Sequence, residues 1–279
     1  MVKIVTDSTA DLPPKVAQEL KITIVPLYVH FGTEAYRDGV DLSIEEFYRK
    51  LASSKTLPTT STPSPEAFAE VYNKLAEESD EIISIHISSK LSATYNVALL
   101  GRDMVKRGCR VEIMDSLSTS MGLGLLAISA AKEAQIGTNL EQIIAMLRQA
   151  IPRTHFFGLV DTLEYLQKGG RIGKAQAFLG AMLRVKPLIG LRDGETHPIE
   201  RVRTRTKAIE RLCELVKGFS SIKEMAILHS TTPEEAERLV ERIAPIFPRE
   251  RIYMARIGPI IGTHLGPGAL TIALIEGER

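Results

Sequence analysis

Short apolar runs alternate along the chain with amphipathic stretches. Residues 2–5 form a β-type run that ends in Thr6-Asp7-Ser8-Thr9, and Pro13-Pro14 then opens a helix to about residue 20. Residues 22–31 read as one strand and 43–52 as an amphipathic helix. The three prolines of 56–65, TLPTTSTPSP, exclude a helix interior and predict a rigid polar loop. Ser64 is placed to cap the next helix, with Pro65 at its first position and Phe68, Val71, Tyr72 and Leu75 on one face. A buried strand at 82–87 leads through Ser88-Ser89-Lys90-Leu91-Ser92 into a helix to about 106. A strand at 111–114 and a long helix at 117–134 follow. Strand–loop–helix units in series predict a parallel sheet covered by helices.

After Ile151-Pro152 the texture changes. A strand at 155–160 precedes a short helix at 162–167 that ends at Gly169-Gly170, and 173–184 reads as helical. Strands at 187–191 and 198–202 flank the turn Arg192-Asp193-Gly194. A helix at 206–216, a strand at 225–229, a helix at 233–246 and strands at 251–257 and 270–275 complete the pattern. The expected fold is therefore α/β, in two α/β domains: 1–152 with a parallel sheet flanked by helices, and 153–279 with a mixed sheet and helices.

Composition narrows the function. The 279 residues carry 35 Lys+Arg against 34 Asp+Glu, a formal charge of +1, which gives no footprint for nucleic acid. Cys109 and Cys213 are the only cysteines and form no CxxC, so a reducing compartment is expected. No secretory leader and no apolar stretch of about 18 residues is visible, so a cytoplasmic protein without stable membrane insertion is expected.

The hydroxyl-bearing residues are informative by position. Asp7-Ser8-Thr9, Thr59-Thr60-Ser61-Thr62, Ser88-Ser89 with Ser92, and Asp115-Ser116 all lie just before expected helices. In an open parallel sheet such loops gather at the carboxyl ends of the strands, where helix starts offer free N–H groups to an anion. Each alone is explained as a helix cap. A capping hydroxyl can still accept from the backbone and donate outward, so capping and binding are compatible.

His264 lies in GTHLGPGAL, whose glycines are expected to leave room for a ligand near the backbone. No other histidine or cysteine has metal-ligand spacing with it, so neither metal nor cofactor is expected. LQKGGRIG at 166–173 matches neither a Walker A loop nor a dinucleotide fingerprint. It reads either as a helix end with its turn or as a loop that turns Arg171 toward an anion. Arg201, Arg203 and Arg205 alternate as on one strand face, a solvated face or a dock for a phosphate-bearing partner. No G-x-S-x-G elbow and no paired carboxylates occur. The visible chemistry is the holding of an anion.

DSTADLP (7–13), TTSTPS (59–64), SSKLSATYNVA (88–98), DSLSTSMGLG (115–124), LEYLQKGGRIG (163–173) and IGTHLGPGAL (261–270) together resemble the DegV family, in order along nearly the whole chain. The resemblance implies a lipid-binding carrier rather than an enzyme. It would lodge the acyl tail of a long-chain fatty acid in an apolar tunnel, with the carboxylate near the domain junction. A separate ATP-dependent fatty acid kinase would phosphorylate that carboxylate. By motif, Thr60 and Ser92 would bond the carboxylate, with Ser61 able to do the same and His264 at the same head group. Arg171 and Arg203 or Arg205 would face the kinase or the phosphate. Thr62 stands where the family often has Gln, and Ala93 where it often has Gly. The alternative reading is a self-sufficient enzyme for a small phosphorylated or carboxylated metabolite.

Overall fold

The structure, a computed structural model, describes residues 1–106, 108–180 and 185–278. The N-terminal half runs β1 (Lys3–Asp7), α1 (Pro14–Glu19), β2 (Ile22–Val25), β3 (Tyr28–Phe31), β4 (Glu34–Arg37), α2 (Ile44–Ser53), β5 (Thr59–Ser61), α3 (Pro65–Leu75), β6 (Glu81–His86), α4 (Thr94–Arg102), β7 (Arg110–Asp115), α5 (Ser120–Gln135) and α6 (Leu140–Ala150). The C-terminal half runs β8 (Thr154–Leu159), α7 (Glu164–Lys168), β9 (Lys186–Arg192), β10 (Glu195–Val202), α8 (Arg205–Lys217), β11 (Ile222–His229), α9 (Pro233–Ile243), β12 (Ile252–Arg256), α10 (Pro259–Leu265) and β13 (Leu270–Glu276).

The result is a two-domain α/β fold. A parallel sheet of order β2-β1-β6-β7 forms the first domain's centre, and a mixed sheet of order β10-β9-β8-β13-β11-β12 the second's. Only β11 and β12 run parallel in the latter. Helix α5 joins the two. It is apolar all round, as a helix buried on every side must be, and it packs on β1 and β6 from one direction and on β8, β11 and β13 from the other. One apolar core therefore runs from Ile4 and Ile83 through Met121 and Leu125 to Phe156, Ala226 and Ala273.

Several expectations are corrected. The single strand at 22–31 is two strands in different sheets, because Pro26 breaks the ladder: β2 joins the parallel sheet, and β3 joins a small antiparallel sheet of order β4-β3-β5. The loop at 56–65 contains β5, drawn into extended form by pairing with β3 (Val29 opposite Thr60). Helix α6 was not anticipated, although Leu140, Ile143, Ile144 and Leu147 bury one face and Asn139 caps its start. Residues 173–178 form a 3₁₀ turn rather than an α-helix, and 181–184 lie outside the described residues. The GTHL segment, 262–265, is helical, in α10.

Candidate functional site

Loops after the parallel strands meet the C-terminal sheet around a cavity of about 290 Å³. Thr9 follows β1, Ile87, Leu91, Ser92 and Ala93 follow β6, and Thr119 follows β7. Strands β8 and β9 supply Phe156, Ile189 and Leu191, while Thr60 to Thr62 come from β5 and its exit. The walls are mostly apolar, and Thr60, Ser92, Arg171 and His264 are among the polar groups of the lining, with Thr9, Thr119 and Thr196.

Thr60 and His264 are 204 residues apart in the chain, yet Thr60 Oγ1 and His264 Nε2 are 3.0 Å apart. His264 Nδ1 is buried without a hydrogen-bond partner, against Gly169, where a Cβ would collide with the ring. Burial, and secondarily the Arg171 charge, push the imidazole down to about 4, so it is neutral at physiological pH. Nε2, which it shares with Thr60, donates or accepts according to the tautomer of the neutral ring. Arg171 is the one cationic side chain of the lining among the described residues. Two carbonyls fix its guanidinium: Nε donates to Leu91 at 3.0 Å and Nη1 to Gly169 at 2.7 Å. Ser92 Oγ accepts from the Thr94 amide at 3.3 Å and lies 2.8 Å from Thr94 Oγ1, so it caps the chain's entry into α4. The Ser61 hydroxyl is engaged with His30 at 2.8 Å.

Helix α10 sets the position of His264. Asp11 accepts from the Gly258 amide at 2.9 Å and from Ser120 Oγ at 2.6 Å. Burial raises this carboxyl to about 8. Tyr48 donates to the Ile257 carbonyl at 3.0 Å. The glycines here answer to packing rather than to a ligand, which corrects the sequence expectation. A Cβ at Gly262 would strike Tyr48 and Phe47, one at Gly268 would strike Asp161, and Gly266, at φ +74°, ends the helix against the Tyr165 ring.

Thr60, Ser61, Ser92, His264 and Arg171 thus share one cavity; Arg203 and Arg205 are not part of its lining. They are not on one strand face either, because β10 ends at Val202. Arg203 is exposed. Arg205 is held by Glu235, by Asp161 at 2.9 Å and by the Gly268 carbonyl at 2.7 Å, so it braces the loop that follows α10. Thr60, Arg171 and His264 also line a second hollow of about 270 Å³, shared with Thr59, Tyr165 and the exposed Lys168. The three side chains therefore stand between the apolar cavity and the surface. Sequence reasoning missed Thr119 and the apolar wall; Thr119 carried a weak signal as the residue before α5, whereas Phe156 and Ile189 look like any core residue.

A second histidine has a different setting. Asp7, Ser84, His86 and Tyr72 are all fully buried. Asp7 lies 2.9 Å from His86 Nδ1 and also accepts from the Thr9 and Ile87 amides. His86 Nε2 is 2.7 Å from Ser84 Oγ, to which Tyr72 donates at 2.9 Å. Donor arithmetic assigns one direction, Tyr72 to Ser84 to His86 to Asp7, with every group satisfied.

The family described as uncharacterised DegV proteins matches residues 1–277. The chain belongs to the DegV family. A DegV domain-containing protein of Halalkalibacterium halodurans is 40% identical over 98% of the chain and 97% of its own length. A DegV family protein from Thermus thermophilus, whose structure is described as one of fatty acid binding, superposes with a TM-score of 0.92 at 34% identity and covers 99% of both chains. DegV of Bacillus subtilis, described as a fatty acid binding protein, gives 0.90 at 35% identity over 99% of both chains. Among the described residues of this DegV chain no helix is long and apolar enough to cross a membrane, and no three ligand-type side chains cluster around a point that could hold a metal.

Proposed function

We propose that this protein binds a long-chain fatty acid in the cavity between its two sheets and presents the carboxylate to a separate ATP-dependent fatty acid kinase. The observation that carries the reading is the pairing of Thr60 with His264 in the lining of a mostly apolar cavity. A carboxylate placed among Thr60, Ser92 and His264, with Ser61 alongside, recovers hydrogen bonds that burial would otherwise deny it, a loss of several kcal/mol. The tail supplies most of the affinity, at about 0.8 kcal/mol per buried methylene.

Arg171 faces the same point and offers charge to the carboxylate or to the phosphate made from it. The outer hollow gives a kinase a route to that carboxylate, and the exposed Arg203 is available to the partner's surface. Arg205 acts instead by bracing the loop after His264. The similarity to fatty-acid-binding DegV proteins supports the ligand class; the mostly apolar walls weigh against a small hydrophilic metabolite. We also place the domain boundary at 152/153, just ahead of β8.

Denaturing extraction of the purified protein followed by mass spectrometry should release a long-chain acid. Lipid-free protein that also refuses added fatty acid would remove the proposal. Acyl phosphate made from ATP by this chain alone would overturn the carrier role.

A further inference from the structure

Residues 27–62 leave the first domain's parallel sheet after Pro26 and return to the domain at Pro63, and between those points they fold around a core of their own. Val29, Phe47, Tyr48 and Leu51 pack together there, and the residues from outside the segment that join them are Ile260 of α10 and Tyr165 of α7. The segment belongs to the N-terminal half by sequence and rests on elements of the C-terminal half. It gives the cavity Leu27 and Thr60 to Thr62, while α10 gives it Ile260, Ile261 and His264. Across the seam Tyr48 donates to the Ile257 carbonyl, Thr60 meets His264, and Glu45 pairs with Arg256, which also lies over the Tyr48 ring. Glu45 is exposed, so its ion pair adds little. One group on the seam opposes closure. Asp38 is buried, and its Oδ2 has no hydrogen-bond partner. Its Oδ1 and that of Asp11, which belongs to the body, lie 3.9 and 2.8 Å from the point where a Cβ on Gly258 would stand. Burial raises the Asp38 carboxyl to about 7, against the pull of Ser8 and the Ile260 amide and with help from the Asp7 charge.

Resting on the fatty-acid reading, we propose that residues 27–62 are a flap that lifts off α10 to admit and release the acid, with Asp38 as the group that favours lifting. A closed flap denies water to the Asp38 carboxylate, and a lifted one restores it. Closed, the carboxyl sits near 7; open and hydrated, it returns to its ordinary value of 3.8. Lifting therefore becomes easier as pH climbs from 3.8 to 7 and levels off above that. His264, down at about 4, and Tyr48, pushed well above its ordinary range, keep their protonation states around neutrality. Asp11, raised to about 8, adds its repulsion only above that value. Lifting acts on the empty and the loaded protein alike, so it sets the rate of exchange and leaves affinity unchanged.

Stopped-flow uptake and release of cis-parinaric acid, a fluorescent long-chain fatty acid, test this. In the wild-type protein both rate constants should rise together, by about tenfold between about pH 6 and about pH 8. Asp38→Asn, which keeps the shape and removes the charge, should hold both at the slow value and remove most of the pH dependence. Tyr48→Phe, which removes a fastener of the closed flap, should raise both about fivefold, the factor equivalent to one neutral hydrogen bond. Neither side chain lines the cavity, so the dissociation constant of each variant at a given pH should stay that of the wild type. Circular dichroism and the melting temperature check that both variants fold. Rates that move in neither variant, or a release rate that changes only in step with the dissociation constant, overturn the flap and leave fatty-acid binding standing. A wild-type protein that takes up no fatty acid takes both readings down together.

Discussion

His86 and His264 are both largely buried histidines beside hydroxyl groups, and only one of them faces a space that a ligand can enter. His86 completes an aspartate–histidine–serine series of the kind associated with nucleophilic catalysis, yet it lies in the N-terminal core with every donor and acceptor matched. Ser84 is fully buried, with Tyr72 donating to it and Phe68 packed edge-on against His86. His264 has a poorer set of partners: one hydroxyl and one buried, unpartnered ring nitrogen, with burial first and the Arg171 charge second keeping it uncharged. A complete set of hydrogen bonds marks a structural role for His86, and His264, which shares the cavity lining with Thr60, is the histidine on which the proposed ligand reading rests.

The comparison can be broken at four points. Asp7→Ala would strand the His86 ring and two backbone amides in the core. It should cost about 3–5 kcal/mol in the denaturant midpoint, the range for losing one partner of a buried pair. A cost below 1 kcal/mol would mean that the network is not structural.

The second test is pH. The folded His264 is held near 4 whereas the unfolded chain takes up a proton near 6.5, so stability is full above pH 6.5 and is lost as pH falls toward 4. The loss should be on the order of 3 kcal/mol and absent from His264→Gln. Denaturant titrations of the two proteins across that window, subtracted, isolate it; identical slopes contradict the neutral buried ring.

Third, Ser92→Ala should weaken fatty acid binding by about 1–2 kcal/mol, one hydrogen bond to a charged group, as read by calorimetry. The smallest effect on affinity belongs to His264→Ala. It should keep tail binding within about 1 kcal/mol, because apolar burial dominates, while phosphorylation of the bound acid by the partner kinase drops. Undiminished phosphorylation would cancel the distinction between the two histidines.

Much of the frame was legible from the chain because local rules decided it. Ser64 with Pro65 starts α3 as its capping chemistry demands, and the Arg192-Asp193-Gly194 turn joins β9 to β10. Where tertiary pairing overrides local preference, reading failed. The threonines of β5 are extended because β3 accepts them. The glycines of α10 look like loop residues, yet the aromatic rings of Tyr48 and Phe47 pack against the space they leave. Thr60, Ser92 and His264 were found through their motifs, and spacing alone could not have joined residues from three distant segments. Arg205 was misjudged because a sequence shows a charge and not its partners; Glu235 and Asp161 already occupy it.

The burial of α5 between both sheets bears on how cargo enters and leaves. Domains that share a helix cannot swing apart like the halves of a shell without tearing open that common core. If the proposed fatty acid is bound, its loading and unloading then fall to small displacements at the rim. At that rim β5 is the shortest strand of its sheet, three residues long and paired along one side only. On the proposed fatty-acid reading, the rate of exchange would then follow local opening at the rim rather than a rearrangement of the whole molecule.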